Sequence, residues 1–327
     1  MSTGDDPRTV SQAGEAAVLE VLSGAVAPLS ADPVGNGDDA AVLGPASATV
    51  VTTDMLVEGT HFRLDLTTWR DLGRRAVAQN VSDVLAMGAD CSRVLVGLAV
   101  PGETTMTQIA ELAAGVHWEA DRSGAVVVGG DLTGAENVVV SVTAIGTLPG
   151  GARPVRIDGA RPDEVIALTG APGRSAAGLA LLLGGHPDGP LQDVHRVPAT
   201  PIGSGRQARL AGATSLTDVS DGLLRDLAGI ARASGVAADL TGAALPVDQL
   251  LFEAAELLGA ADPAARVAKW QLDGGEDHGL LATFPVGTDL PPGFTVIGRT
   301  RAGDPGQVRV DGVPTEPGGW DSARGGR

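Results

Sequence analysis

Runs of β-branched residues punctuated by helical periodicity constrain this chain more than any other feature. Four strand-like runs, ATVVTTD (48–54), RVLVGLAV (93–100), AVVVGGD (125–131) and NVVVSVTAIG (137–146), fall in the first half. Between them, WRDLGRRAVAQNVSDVLAMGA (69–89) repeats apolar residues at three and four, and TTMTQIAELAAGVHWEADRSG runs from threonine capping candidates to a stop at Gly124. A segment rich in Gly, Pro and Arg, LPGGARPVRIDGARPDE (148–164), reads as a hinge. The pattern then restarts with the strand EVIALTG, the turn APGR and the helix SAAGLALLL. SLTDVSDGLLRDLAGIARASG follows, with a helix expected to begin near Ser220, and then the strands GLLATFP, FTVIGRT and QVRVDG. The expectation is two α/β domains of similar size, residues 1–148 and 149–327.

A chain of 327 residues with 43% hydrophobic and 19% charged content can bury two cores. The polar, acidic start MSTGDDPRTV lacks the apolar core of a secretory signal, and no apolar run reaches the length of a membrane span. One cysteine, Cys91, suits a reducing cytoplasm and reads as packing. Forty acids against 23 bases give a formal net charge of −17, which argues against nucleic acid or anionic membrane as partner. Lys269 is the single lysine, so no Walker-type G-x-x-x-x-G-K-[ST] loop exists. Phosphates bound by this chain must be neutralised another way.

The acids supply one. Asp38 and Asp39 lie between a glycine-rich turn and an apolar run; Asp54 ends VVTTD; Asp131 follows AVVV through two glycines. Asp83 stands three residues after Asn80 in a predicted helix, Asp218 ends SLTD, and Asp221 comes three residues later. Each has a plain reading: an Asx turn for the pair, a turn for Asp131, a helix cap for Ser220 and Asp221, a solvated helix position for Asp83. Against these, α/β sheets place ligands beyond the carboxyl ends of their strands, and the acid-at-strand-end pattern occurs three times. Carboxylates gathered without basic partners raise one another's pKa or hold cations. Oxygen donors favour Mg²⁺, with Ca²⁺ or Mn²⁺ as alternatives, over zinc, which five scattered histidines and one cysteine do not serve.

The glycine turns are less specific. In TGAPGRSAAG, N–H groups at a helix start can meet an anion, or the glycines serve a tight connection needing positive φ. LDGGEDHGLL (272–281) presents Glu276 after two glycines, and His61 follows Asp54 by one short loop.

Six motifs in order, GDDAAV, TTDMLVEGTHF, NVSDVLAMGA, GGDLT, SDGLLRDL and GGEDHGLL, resemble the thiamine-monophosphate kinase family. That family belongs to the aminoimidazole ribonucleotide synthetase superfamily of ATP-dependent enzymes, and the match runs from about residue 35 to Trp320. The resemblance implies a two-domain α/β (α+β) fold whose N-terminal mixed sheet pairs into a barrel in a homodimer. It implies transfer of the ATP γ-phosphoryl to thiamine monophosphate. Metal ligands implied by the resemblance are Asp39, Thr52, Thr53, Asp54, Asp83, Asp131, Asp218 and Asp221. Gly130, Asp131 and Ser220 correspond to positions near ATP, and His61, Glu276 and Trp320 to positions near thiamine monophosphate. The nucleotide-contacting arginine corresponds to Arg156, with Arg153 the alternative because the spacing differs by one residue. His278 stands in GGEDHG where the family commonly has tyrosine, and this chain has no tyrosine at all.

Direct in-line transfer follows as the expected mechanism. The acceptor phosphate is already ionised at neutral pH, so positioning and charge neutralisation replace a strong general base. Asp54 and Asp131 are the expected catalytic residues, acting through Mg²⁺. Within the superfamily, selenophosphate synthetase would want a reactive Cys or selenocysteine near the N-terminus and the hydrogenase-maturation enzyme a C-terminal cysteine, and this chain has neither. Aminoimidazole ribonucleotide synthetase itself stays open on fold grounds, but the TTDMLVEGTHF and GGEDHGLL versions argue for the thiamine enzyme. A regulator that binds nucleotide or thiamine without catalysis is the reading from another class.

Overall fold

The computed structural model describes residues 7–13, 48–150 and 152–319. Asp39 and Trp320 of the expected site lie outside the described residues, as does Asp38. The chain forms two compact units, one comprising residues up to Val84 together with Asp90–Ala152, the other Leu85–Ala89 together with residues from Arg153 onward.

The first unit holds the short helix α1 (Val10–Ala13), β1 (Ala48–Val57), most of α2 (Trp69–Ala86), β2 (Asp90–Val100), α3 (Met106–Arg122), β3 (Val126–Gly134) and β4 (Val139–Leu148). Its sheet runs β1-β4-β2-β3; β4 is antiparallel to both neighbours, and β2–β3 is parallel. Burial alternates along β4, so that Val140, Val142 and Ala144 are sealed on one face, as period-two patterning requires. In α2, Leu72, Ala76, Val77, Val81 and Val84 are fully buried. The helices α2 and α3 meet backbone to backbone: a Cβ at Gly73 would lie 2.2 Å from the Leu112 carbonyl oxygen, and one at Gly115 2.0 Å from that of Arg70. Thr105 and Gln108 form a capping box at the start of α3, whose end is followed by Gly124 at φ 75°, the expected stop. Glu119 on α3 is fully buried and held by Arg122 and Arg74, and Arg74 also lies over the Trp118 ring.

The second unit contains β5 (Val165–Leu168), α4 (Arg174–Leu183), α5 (Pro190–Arg196), α6 (Ser204–Leu210), β6 (Ser215–Asp218), α7 (Leu223–Ser234), β7 (Ala237–Leu240), α8 (Gln249–Leu257), α9 (Pro263–Asp273), β8 (Leu280–Phe284), β9 (Thr295–Arg301), β10 (Val308–Val310) and β11 (Val313–Pro314). Its seven strands run β11-β10-β7-β9-β5-β8-β6, and only β7–β10 is parallel. Ile166, Leu168, Leu223, Leu227, Ile230, Leu281 and Ile297 belong to one core between α7 and this sheet; Leu181, Leu251, Val267 and Trp270 belong to a second, around α4, α8 and α9.

The mixed architecture is as expected, but two local readings are corrected. Asp54 and Asp131 do not terminate strands; both lie inside them, because β1 and β3 continue three residues further through Met-Leu-Val and Leu-Thr-Gly. Ser220 and Asp221 do not cap α7: the Asp226 carboxylate, from within the helix, accepts the N–H groups of Asp221 and Gly222 at 3.2 and 3.1 Å. Asp218 ends β6 as expected.

Candidate active site

In the first unit, β1 and α2 assemble one group of the expected ligands. Alternation along β1 sends Thr52 and Asp54 to the same side and Thr53 to the other. The Thr52 hydroxyl donates to Asp83 Oδ2 at 2.8 Å, tying strand to helix. One turn earlier on α2, buried Asn80 accepts the Asp54 backbone N–H at 2.8 Å and donates to the Ala76 carbonyl at 2.8 Å. Gln79 donates to Asp54 Oδ2 at 3.3 Å. Asp54, Thr52 and Asp83 therefore present oxygen donors whose backbone and side chains are already fixed. The Thr53 hydroxyl instead donates to Val142 O at 3.0 Å and meets the Thr143 hydroxyl, so toward Thr52 and Asp54 it offers backbone only.

Asp131 is exposed on β3, paired in register with Gly97. Gly130 before it faces Val96 so closely that a Cβ would stand 1.9 Å from the Val96 carbonyl oxygen. His61 closes the turn after β1: its Nδ1 accepts the Val57 N–H at 3.0 Å, which leaves the ring proton on Nε2.

In the second unit, two loops lie side by side. His278 and Glu276 donate backbone N–H groups to Val219 and Ser220 carbonyls at 2.9 and 2.7 Å, and Val219 donates to Gly279 O at 2.8 Å. Gly275 is required here, since a Cβ would stand 2.7 Å from Ser220 O. Glu276 and His278 adopt φ of 66° and 51°, strained backbone that this pairing holds in place. The buried His278 ring places Nδ1 2.9 Å from Asp218 Oδ2 and Nε2 3.6 Å from Glu276 Oε2. Burial by itself would lower the pKa of this imidazole, but the two carboxylates outweigh it and raise it to about 10.

Asp226, behind the same loop, feels its neighbours' charge. Burial, reinforced by the charges of Asp218 and Asp221, pushes its carboxyl up to about 8. Asp218 and Asp221 are carboxylate oxygen donors, the kind a hard divalent cation such as Mg²⁺ takes. Among the described residues, no three His, Cys, Asp or Glu side chains already converge on a single ion position.

The TGAPGR turn meets its positive-φ reading, and its helix-start N–H groups are taken by a side chain of the same chain. Gly173 takes φ 91°, and the N–H groups of Gly173 and Ser175 at the start of α4 donate to the Asp277 carboxylate at 2.5 and 2.8 Å. The helix start is thus occupied by the chain's own acid. Arg156 is exposed and pairs with Asp158 through two bonds of 3.0 and 2.7 Å; Arg153 is also exposed. Asn80, Gln79, Asp226, Asp277 and His278 are contributors that sequence reasoning did not select. The signal for the last two was in GGEDHG, where Asp277 and His278 follow Gly-Gly-Glu.

The N-terminal part of the chain falls in a known class: residues 37–148 match the family described as AIR synthase related protein, N-terminal domain. Over 324 residues the chain is 46% identical to a thiamine-monophosphate kinase of Mycobacterium tuberculosis strain H37Rv, covering 98% of this chain and 95% of the relative. It is 41% identical to that of Corynebacterium glutamicum over 97% and 96% of the two chains. A solved structure of AaThiL complexed with AMPPCP and TMP superposes with a TM-score of 0.77 at 30% identity, covering 96% of this chain and 99% of that one. The chain belongs to the thiamine-monophosphate kinase family.

Proposed function

We propose that this chain transfers the γ-phosphoryl group of ATP to thiamine monophosphate, giving thiamine diphosphate and ADP. The observation that carries the reading is the preformed oxygen-donor group Thr52–Asp54–Asp83, fixed by Asn80 and Gln79, in a member of this family. The AaThiL complex, which holds an ATP analogue together with TMP, supports the pairing of substrates.

Asp54, Asp83, Asp131, Asp218 and Asp221, with Asp39 and Thr52, are assigned as Mg²⁺ ligands, and Thr53 joins them through its carbonyl. Mg²⁺ held there would neutralise the triphosphate and the charge that develops during transfer. The chain's own groups do the rest by position. Asn80 holds the Asp54 backbone and Gln79 its carboxylate, so little reorganisation accompanies the reaction. An acceptor phosphate oxygen attacks the γ-phosphorus as the bond to the ADP oxygen breaks, with no covalent phosphoenzyme. Gly130, Asp131, Ser220 and Arg156 are assigned to ATP, and His61, Glu276 and Trp320 to the acceptor. Binding to ATP would take Arg156 away from Asp158, an exposed partner worth little to stability.

Residues 1–148 are assigned as the ATP- and Mg²⁺-binding and dimerisation domain and 149–327 as the C-terminal α/β domain. A homodimer is supported by the open face of β1, where Thr49, Val51, Thr53 and Met55 point away from the core; Val51 and Met55 are 60% and 52% exposed. No described helix is long and apolar enough to cross a membrane. We assign a cytoplasmic location on the single buried cysteine.

ADP release measured with thiamine monophosphate and, separately, with the acceptor substrates of the other superfamily enzymes tests the assignment. Release only with thiamine monophosphate is expected; release with another acceptor, or binding without release, would overturn it.

A further inference from the structure

We infer that His278 is a positioning residue that couples the cation side of the site to the acceptor side, bridging Asp218 and Glu276 through its two ring nitrogens. The inference rests on the function proposed above, in which Asp218 meets the cation and Glu276 the acceptor.

Three observations carry it. First, the ring is placed between two carboxylates with different assignments, Nδ1 at 2.9 Å from Asp218 and Nε2 at 3.6 Å from Glu276. The first is a hydrogen-bond distance; the second places Nε2 and the Glu276 carboxylate as near neighbours, beyond direct hydrogen-bond length. Second, the ring cannot drift: it is buried, and its backbone is held at φ 51° by the hydrogen bond to Val219. Third, both carboxylates are anchored to the same pair of loops, Asp218 at the end of β6 and Glu276 through its N–H to Ser220. Movement of either carboxylate on ligand binding is therefore felt at the other through one rigid five-membered ring. A phenol would offer a single polar atom where the imidazole offers two, so histidine at this position adds a second attachment point.

Two substitutions separate the halves of the bridge. In His278→Asn the amide nitrogen takes the place of Nδ1 and retains the donor to Asp218; in His278→Gln it takes the place of Nε2 and retains the contact with Glu276. Binding of Mn²⁺ with ADP, followed by electron paramagnetic resonance, reads the cation side without turnover. The KM for thiamine monophosphate reads the acceptor side. The Gln variant is expected to weaken Mn²⁺ binding by about tenfold or more, as loss of an orienting partner typically does, with the acceptor KM within about threefold of wild type. The Asn variant is expected to show the reverse, with the acceptor KM raised about tenfold. Equal effects of both substitutions on both quantities, or lowered melting temperature with both quantities unchanged, would overturn the bridge.

Should either variant fail to fold, ring ¹⁵N shifts of the wild-type protein decide. The His278 resonances should move on adding Mg²⁺ with ADP and again on adding thiamine monophosphate; a ring silent to either ligand overturns the inference. Wild-type turnover in the same preparation separates the two levels. An active wild type with unresponsive variants removes the bridge alone, whereas a wild type that forms no thiamine diphosphate removes the assigned reaction and the bridge with it.

Discussion

Gly130→Ala adds one methyl group beside Asp131, and its consequence can be worked from geometry. Gly130 pairs in register with Val96 across the parallel β2–β3 ladder. The new Cβ would stand 1.9 Å from the Val96 carbonyl oxygen, 2.8 Å from its carbon and 3.2 Å from its nitrogen. All three are backbone atoms, so no side chain can swing aside. Ordinary contact begins near 3.4 Å, and β3 must retreat from β2 by about 1.5 Å at this point. Strain of this kind costs about 1–3 kcal/mol, which leaves a domain of ordinary stability almost wholly folded. Asp131, the next residue, moves with the strand, and a displacement of about 1 Å at a reacting site costs roughly 10²-fold. Urea melts and initial rates of ADP release, measured together, should show modest destabilisation with kcat/KM down about 10²-fold. A variant with wild-type melting and a rate within twofold would refute both the close approach and the assignment of Asp131.

Further outcomes follow from the same geometry. Asp54→Asn keeps the side-chain volume and the backbone bond to Asn80; turnover should be abolished at saturating Mg²⁺ with the melting temperature within a few degrees of wild type, and full activity would remove Asp54 from the ligands. Asp277 carries a pKa raised by burial to about 7, against the pull of two backbone N–H donors. Its proton is held more tightly folded than unfolded, so that this contribution is complete below about pH 4 and is lost as pH rises through 7. Asp277→Asn abolishes the titration. Urea melts from pH 4 to 8 should show the wild type losing stability relative to the variant by up to about 1.4 kcal/mol per pH unit. Parallel profiles would contradict the raised pKa.

What the sequence made legible was local. The threonine cap before α3, the stop at Gly124 and the alternation of strand and helix are short-range signals, and the structure contains each. Strand order was not legible, because β5 pairs with β8 and β9, far along the chain, and hydrophobic runs carry no label for a partner. The same limit misplaced Asp54 and Asp131 at strand ends: hydrogen bonding to β4 and β2 extends both strands through residues that propensity alone does not bind. The anion at the start of α4 proved to be Asp277, and the cap of α7 came from Asp226 rather than Ser220; both depend on where a side chain points. The role of His278 was hidden for a related reason, since its partner Asp218 lies on β6, brought alongside only when β6 pairs with β8.

The most direct measurement is a single-turnover ³¹P NMR experiment with enzyme, ATP, Mg²⁺ and thiamine monophosphate in equal amounts. The account predicts that the γ-phosphorus signal of ATP is replaced by the terminal phosphorus of thiamine diphosphate, one for one with ADP, with no orthophosphate and no protein-bound phosphate. Orthophosphate in place of thiamine diphosphate, or unchanged ATP beside an intact, nucleotide-bound enzyme, would contradict it.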